Sequence, residues 1–537
     1  HDPRRGACAA PPMLERPAAS SFFPDWLINL MQQRRYRRLF VMTGSHLFLR
    51  EYLPKSVSTL YFLAEDYQEA ARYRFHKHRL IFRIGAMRSY SRYLAAGNLP
   101  VYYVKMDENP PETTYDDKLR QVLRQFGFRE LVHFEIEDRA REAELAAFAE
   151  QHGLIHTVLP SPMFMCGRDE FAEWHDRSAR LRMSEFYRWR RREQDVLVND
   201  RERPVGGRWS FDALNRNPLP ANVPVTDLPK VACARPVQAV KRMVDRLFPD
   251  NPGDSETFWL PTTRPQTLAW LDHFLDQRFA QFGDYQDAVT QRSDVVFHSA
   301  LSPLLNVGLI TPGELLNRVL TFAETQQIEL NSVEGFIRQV IGWREFVRGV
   351  YRHHGPAQSR GNFWENHREL TSDWYNGTTG IAPLDDIIGK ANRIGYAHHM
   401  ERLMIVGNLM TLCEITPHRA HDWFMELFVD SDEWVMGPNV YGMALFADGG
   451  LMTSKPYICG SNYLLRMSDY RRGDWCEIVD GLFWRFVAKH RQFFGSQPGL
   501  TELVRNLDSM DPARRRRLQN TANSFLQSKT IARVDAA

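Results

Sequence analysis

Residues 438–470 read PNVYGMALFADGGLMTSKPYICGSNYLLRMSDY. The first part closes an Ω-like loop that spans 429–452. The loop is set in a half-chain, from Val237 to the C-terminus, in which strand-like runs are absent and amphipathic helical spacing dominates. Asn331-Ser-Val-Glu334 predicts a capping box that opens a helix over 334–351, ending before His354-Gly355-Pro356. A second, buried helix is expected over 397–412. Arg514 to Arg517 form a basic run expected on a solvated face, with phosphate a conceivable neighbour.

Upstream the pattern changes. Short apolar, β-branched or aromatic runs recur at 39–42, 60–63, 101–104, 131–134 and 155–158, separated by helical stretches such as 79–95. That alternation predicts an α/β domain over 38–180, with a parallel sheet covered on both faces. No GxGxxG or P-loop follows any strand, so a standard dinucleotide or nucleotide-triphosphate site is not indicated. Thr43-Gly44-Ser45-His46 follows the first strand, at the strand end where such sheets bind ligands. A basic stretch, 180–196, reads as a solvated helix face. Residues 199–236 carry Gly206-Gly207 and five prolines between Pro204 and Pro229, and belong to an interdomain connection, assigned to 181–236. The helical domain follows over 237–537. Residues 1–37 are read as an extension outside the folded domains.

The chain has 537 residues, 43% hydrophobic and 25% charged, with net charge +3. This is an ordinary globular balance, and it neither demands nor excludes a nucleic-acid partner. Thirteen Trp, 33 Phe and 19 Tyr suit a large helical core, and also a planar cofactor and electron hopping. The six cysteines form no CxxC, so the expected compartment is a reducing cytosol. No stretch reaches the roughly 20 apolar residues of a membrane helix.

Several motifs resemble the photolyase/cryptochrome superfamily, most closely its prokaryotic (6-4) photolyase branch, the iron–sulfur bacterial cryptochromes and photolyases. They are GGRWSFDALNR (206–216), VVFHSALSPLLNVGLITPGEL (295–315), EGFIRQVIGWRE (334–345), GWREFVRGVY (342–351), YAHHMERLM (396–404), AHDWFMELFVDSDEWV (420–435) and the stretch 438–470. The resemblance covers about 38–527 and is weaker before 180. It implies the photolyase/cryptochrome fold: an α/β parallel-sheet domain that holds an antenna, joined to a large all-α domain that binds FAD.

The resemblance also implies roles. Ser299 and Ser302 would donate to the flavin diphosphate, with Thr262, Thr263 and Arg264 near the adenine end. Phe282, His298, Leu301, Trp343, Asn408 and Asn439 complete the flavin shell. Arg344, Glu345 and Arg348 share one helix. The resemblance pairs Arg348 with Asp430, places Asp432 at the ring's polar edge and gives Glu345 a catalytic place. A fixed guanidinium lowers the cost of the negative charge a reduced flavin acquires. His399 falls on the histidine set against the lesion, with His398 beside it. A histidine near its ordinary pKa can give and retake a proton. Leu403 stands where the animal branch has a second histidine. Tyr457 is expected at the lesion pocket and Lys455 at phosphate. Trp423, Trp374, Tyr375 and Tyr463 are the expected electron-transfer residues. Gly44, Ser45, His46 and Glu69 are the expected contacts of a lumazine-type antenna.

The chain departs from the branch in three places. The four cluster cysteines of the branch fall on Pro383, Arg471, Asp474 and Cys476, so no [4Fe–4S] cluster is expected, because a cubane needs four suitable ligands. Arg471, Arg472 and Asp474 are then expected to hold residues 469–477 by salt bridges. Met436 faces flavin N5, and a thioether cannot donate a proton there. Phe424 replaces a tyrosine next to Trp423, and phenylalanine is hard to oxidise.

The function implied is light-driven repair of pyrimidine (6-4) photoproducts in UV-damaged DNA by electron transfer from reduced FAD. A cryptochrome-type blue-light photoreceptor using the same site is the alternative, and a flavoprotein without photochemistry is a third reading. The protein is expected to be a monomer in the bacterial cytosol, associated with the nucleoid and not with a membrane.

Overall fold

The computed structural model describes residues 36–532. The extension expected over 1–37 therefore lies almost wholly outside the described residues. Five parallel strands form one sheet: β1 (Arg38–Met42), β2 (Thr59–Ala64), β3 (Val101–Val104), β4 (Glu130–Phe134) and β5 (Ile155–Leu159), in the order β3-β2-β1-β4-β5. Leu39 stands opposite Leu60 on one side and Leu131 on the other. Period-two alternation sends Leu39 and Val41 to one face and Phe40 and Met42 to the other. The first pair joins a core with Leu119, Val122, Leu145 and Phe148 from the helices Tyr115–Phe126 and Arg139–Gln151. The second pair joins a core that also contains Trp270, Phe274 and Ile310 of the helical half. Both faces are covered, as the near-continuous apolar strands require. The sheet and the helical domain share one apolar interior. β5 is the exposed edge, with Ile155 60% and Val158 41% accessible.

The strand order reverses between β1 and β4, so their carboxyl ends splay apart there and leave a recess. The helix Lys77–Ala96 closes over it and carries Arg79 and Arg83 into it.

The expected helix over 334–351 begins earlier and runs further. It starts at Leu330 and continues to Gln358, with Pro356 inside its last turn. Asn331 does not cap it: its amide donates to Asp284 Oδ1 at 2.8 Å. Glu334 turns inward and accepts the backbone N–H of Phe211 at 2.8 Å. Tertiary partners thus took both side chains of the apparent capping box. The basic stretch near 180–196 is the helix Met183–Glu193, and Arg190 and Arg191 on it are buried rather than solvated. Arg191 holds the carbonyls of Val196 (3.1 Å), Leu197 and Trp209 (3.0 Å). A two-stranded antiparallel ribbon, Arg368–Leu370 with Thr530–Ala532, interrupts the otherwise helical half; three residues per strand are too few to show a period.

The segment expected to need salt bridges from Arg471, Arg472 and Asp474 is held otherwise. Asp469 accepts from the Thr290 hydroxyl and the Gln291 N–H, and Tyr470 donates to Asp386 at 2.6 Å. The Trp475 indole donates to the Arg471 carbonyl at 3.1 Å, and Arg472 reaches only Asn462. Trp475 and Cys476 pack into the apolar core with Leu384, Val479 and Leu482, so buried aromatic area anchors the stretch.

Candidate functional site

Three helical stretches of the C-terminal half are wound as π-helix: Arg338–Arg344, Glu401–Gly407 and Pro438–Ala444. Each faces the same interior space. π-turns are uncommon, and they widen a helix enough to re-aim side chains toward a ligand. Gly407 makes the approach of two of them feasible: a Cβ there would stand 2.7 Å from the Ala444 methyl.

The space is an inner cavity of about 300 Å³ that opens into an outer cleft of about 910 Å³. Volumes of this order suit a small-molecule or cofactor site. Phe282, His298, Ser299, Leu301, Ser302, Asp430, Met436 and Asn439 line the inner cavity, as the resemblance implies, and Phe424 joins them. Trp343 and Tyr457 line the outer cleft. His399 lines both, at the junction. The turn presenting Ser299 and Ser302 holds Val296 at φ +49° and Ala300 at φ +52°. Left-handed backbone at a β-branched residue is strained, and such strain concentrates at functional sites.

Asp430 is the charged centre of the inner wall. Its partner is Arg402, not Arg348: the guanidinium makes two bonds, 2.9 and 3.2 Å, to the carboxylate. Ser302 adds its hydroxyl at 2.6 Å, and Asn306 donates to the Asp430 carbonyl at 3.0 Å. Arg402 also donates to the Ala397 carbonyl and packs 4.0 Å from the centre of the Phe428 ring. Arg348 points the opposite way. It donates to Glu137 (2.9 Å) and Glu135 (3.0 Å), just beyond β4. Burial alone would lower its pKa; those two carboxylates more than offset it and raise it. The pairing of Arg348 with Asp430 is therefore corrected. The signal for Arg402 was present, three residues after His399 and so on the same helical face.

Other expected residues stand apart from the cavity. Asp432 turns to the sheet domain and pairs with Arg79 and Arg83, beyond a turn over 428–431 closed by the Ser431 N–H on the Phe428 carbonyl. Glu345 is buried and accepts the N–H groups of Met165 (3.0 Å) and Cys166 (3.1 Å), tying a sheet-domain loop to the helical domain. Burial raises its pKa. Arg264 pairs with Glu314, and the Thr262 N–H is taken by Gln266. Asn408 braces the backbone of Cys459 through two bonds of 3.2 and 3.0 Å. Lys455 is exposed and outside the cleft lining.

The histidines form a cluster. His298 and His398 stack at 4.7 Å and 13°, and His399 meets His298 edge-on at 5.3 Å. Burial drives the pKa of both His298 and His398 well down, so they are neutral. His399 is half-open to the cleft and donates to Asp287 Oδ1 at 3.3 Å. Among the described residues, the only group of three metal-type ligands in close reach is this histidine set, and no cysteine belongs to one.

Buried Arg278, 1% accessible, has neither an ion pair nor a hydrogen bond among the described residues. It does not itself line the cavity but lies within electrostatic reach of Tyr396 and His298, which do, and burial lowers its pKa to about 10. An unpaired buried guanidinium is costly, so an anionic group delivered to this cavity is what the donor set calls for. A diphosphate linked to a planar ring fits it. Sequence reasoning missed Arg278, which has no motif around it.

The expected electron-transfer residues fall into two groups. Trp423 and Trp374 are fully buried, and the Trp423 indole donates to the Trp374 carbonyl at 2.9 Å. Trp423 packs edge-on against Phe424 at 5.3 Å, which connects it to the inner cavity. Tyr375 is half-buried beside Arg74. Tyr463 lies elsewhere, under Arg466.

Gly44, Ser45, His46 and Glu69 meet in the recess at the sheet's reversal point. His46 is bonded to the Glu135 carbonyl at 3.2 Å, and burial lowers its pKa to about 3. His46 Nδ1, Glu137 Oε2 and Asp432 Oδ2 are buried acceptors without donors. The recess is about 80 Å³, well below the roughly 300 Å³ of a small-molecule site. Its polar groups suit a ring with N–H and hydroxyl donors, but the Arg79 and Arg83 side chains occupy the room such a ring needs. Trp434 separates the recess from the outer cleft and lines both.

Residues 40–260 match the family described as deoxyribodipyrimidine photo-lyase-related protein, and residues 336–459 match the FAD binding domain of DNA photolyase. The chain is 34% identical over 475 residues to a (6-4) photolyase of Agrobacterium fabrum, covering 87% of this chain and 94% of that protein. It is 24% identical over 220 residues to the mitochondrial deoxyribodipyrimidine photo-lyase of Saccharomyces cerevisiae, covering 38% of this chain and 37% of that one. The fold is similar to a bacterial class III photolyase from Agrobacterium tumefaciens, with a TM-score of 0.54 at 15% identity over 92% of this chain and 98% of that one. It is also similar to a cryptochrome of Synechocystis, with a TM-score of 0.54 at 11% identity over 92% and 99%. No helix among the described residues is long and apolar enough to cross a membrane.

Proposed function

Because the chain belongs to the photolyase/cryptochrome family, we propose that it is a light-driven DNA-repair lyase for pyrimidine (6-4) photoproducts, with FAD in the inner cavity. The observation that carries this reading is the position of His399, which lines both the inner cavity and the outer cleft. When bound, reduced FAD supplies a light-excited electron donor. Arg402 and Asp430 would hold its polar edge, Arg278 its phosphate charge, and Phe282, Leu301 and Met436 its apolar faces. The outer cleft receives the displaced dinucleotide, with Tyr457 as an aromatic wall. His399 delivers a proton to the lesion as negative charge arrives there, and takes it back once the bond has rearranged. Asp287 keeps the imidazole oriented by accepting a hydrogen bond from its Nε2–H.

The protein works without an iron–sulfur cluster in this reading. Of the positions Pro383, Arg471, Asp474 and Cys476, one bears sulfur. Pro383 is buried in the first turn of the helix Ala382–Ile394. Cys413 and Cys459 are buried thiols whose pKa values rise by desolvation, Cys459 to about 12, which disfavours thiolate ligands. The recess offers acceptors for a lumazine-type antenna but, at about 80 Å³, too little room for its ring.

The test is a repair assay on the flavin-loaded, reduced protein with an oligonucleotide carrying one (6-4) photoproduct. Blue light should remove the lesion's near-UV absorbance, and His399→Ala should stop this while the lesion still binds. Bound lesion that persists under illumination of the parent protein refutes the reading. Iron analysis and the absorption spectrum test the cluster independently: stoichiometric iron with a broad visible shoulder would overturn its proposed loss.

A further inference from the structure

The outer cleft has one wall built by the interdomain segment, and the flavin site makes no use of it. Gly206 and Gly207, both at φ +72°, turn the chain so that Arg208-Trp209-Ser210 runs along the cleft. The segment is clamped from below. Buried Arg191 donates to the Trp209 carbonyl at 3.0 Å and lies 5.0 Å from its ring centre. Glu334 takes the Phe211 N–H, and Arg338 donates to Asp212 at 2.8 Å. The wall is therefore fixed before any ligand arrives.

Its free side is cationic. Arg190 and Arg191 engage backbone carbonyls, whereas Arg188 on the same helix faces the cleft, exposed. Arg208 does so from the segment itself. Neither makes an ion pair or hydrogen bond with any described residue. The Trp209 ring is held by Arg191 and Arg192, 5.0 and 4.8 Å from its centre, and lines the same cleft as the two unpaired guanidiniums of Arg188 and Arg208. A fixed indole and free cations along a cleft that also holds His399 and Tyr457 are the chemistry that takes a nucleic-acid strand: base against ring, phosphates against cations.

We propose that Trp209, Arg188 and Arg208 form a seat for the damaged strand beside the displaced dinucleotide. An unstacked base packs against the exposed part of the Trp209 indole, and the two arginines each neutralise a phosphate. The inference rests on the DNA-repair reading above and extends it to residues outside the flavin domain.

Fluorescence anisotropy with the full-length, flavin-loaded protein tests it. The probes are a labelled duplex with one (6-4) photoproduct and the same duplex undamaged, each at several salt concentrations. Arg188→Ala and Arg208→Ala should weaken both duplexes and each reduce the slope of log K against log salt by about one. Trp209→Ala should weaken the damaged duplex about tenfold, leave the undamaged one unchanged, and be rescued by Trp209→Phe. Flavin content confirms folding of each variant, and Arg208→Ala, at an exposed position, stands alone if Trp209→Ala is unstable. If the parent discriminates the duplexes but Trp209→Ala matches it, or weakens both equally, the seat is overturned while the repair reading stands. Unchanged salt slopes in both arginine variants overturn it too. A parent that binds both duplexes alike removes the lesion reading and this inference with it.

Discussion

Replacing Arg402 by methionine should strip flavin from the protein, whereas Arg348→Met should not. Arg402 makes two bonds to Asp430, at 2.9 and 3.2 Å, with side chains 16% and 7% accessible. Charge centres about 4 Å apart attract by about 4 kcal/mol at an effective dielectric of about 20. Deleting one member of such a buried pair destabilises by about 3–5 kcal/mol, because the other charge stays buried. Asp430 would keep only the Ser302 hydroxyl at 2.6 Å as a side-chain donor. The orphaned carboxylate then faces the phosphate-bearing, electron-rich ligand directly. The flavin dissociation constant should rise at least about tenfold, or about 1.4 kcal/mol. Arg348→Met instead leaves Glu135 and Glu137 at the domain junction with Arg168 alone, at 3.6 and 3.5 Å. It should lower Tm by several degrees and leave flavin affinity within about twofold, since a twofold change is only about 0.4 kcal/mol. Flavin fluorescence titration of the two variants, with melting curves, is the assay. Loss of flavin from Arg348→Met with retention in Arg402→Met would refute the reasoning and restore the Arg348–Asp430 pairing.

Glu433 is bonded by Tyr73 (2.8 Å) and paired with Arg72 (3.0 Å) and His421 (3.4 Å). Burial alone would raise its pKa, but the His421 bond and the cations more than offset it and hold it at about 2, below the unfolded 4.5. Its stabilisation is complete above about pH 4.5 and is lost as pH falls toward about 2. Glu433→Gln should thus cost about 3 kcal/mol at pH 7 in chemical denaturation, with the gap to the parent closing below pH 4.5; a gap independent of pH would contradict this. Glu345→Ala frees the Met165 and Cys166 N–H groups and should cost about 1–3 kcal/mol, raising hydrogen exchange over residues 160–167 with flavin content unchanged. Trp423→Phe should remove most light-driven flavin reduction, read as bleaching of the blue absorption band, with repair by chemically reduced protein retained. Unaltered bleaching would exclude Trp423 as the donor.

The five strands were readable because each carries a short apolar, β-branched or aromatic run, buried almost throughout in β1, β2 and β4, and such runs carry their signal locally. The helical half and the flavin shell from Phe282 to Asn439 were readable through long ordered motifs. Ion-pair choice was not. Arg348 and Arg402 are alike in sequence terms, and each sits near acidic residues; only the direction of each helix face decides which carboxylate it meets. The same holds for Asp430 and Asp432, two residues apart yet turned to different domains. Arg278 has no local pattern, and its meaning comes wholly from being buried without an anion.

By itself the sequence determined the two-part architecture and much of the cavity wall, from Phe282 through Ser299 and Ser302 to Asp430 and Asn439, since periodicity and residue chemistry are local properties. The tertiary structure decided which charges pair, which arginines are buried, that three π-turns converge on one cavity, and that Trp434 divides two sites. Those depend on side chains well separated in the chain, by 28 residues for Arg402 and Asp430 and by 211 for Arg348 and Glu137, meeting in a low-dielectric interior, where an unpaired charge costs too much for its partner to be left open.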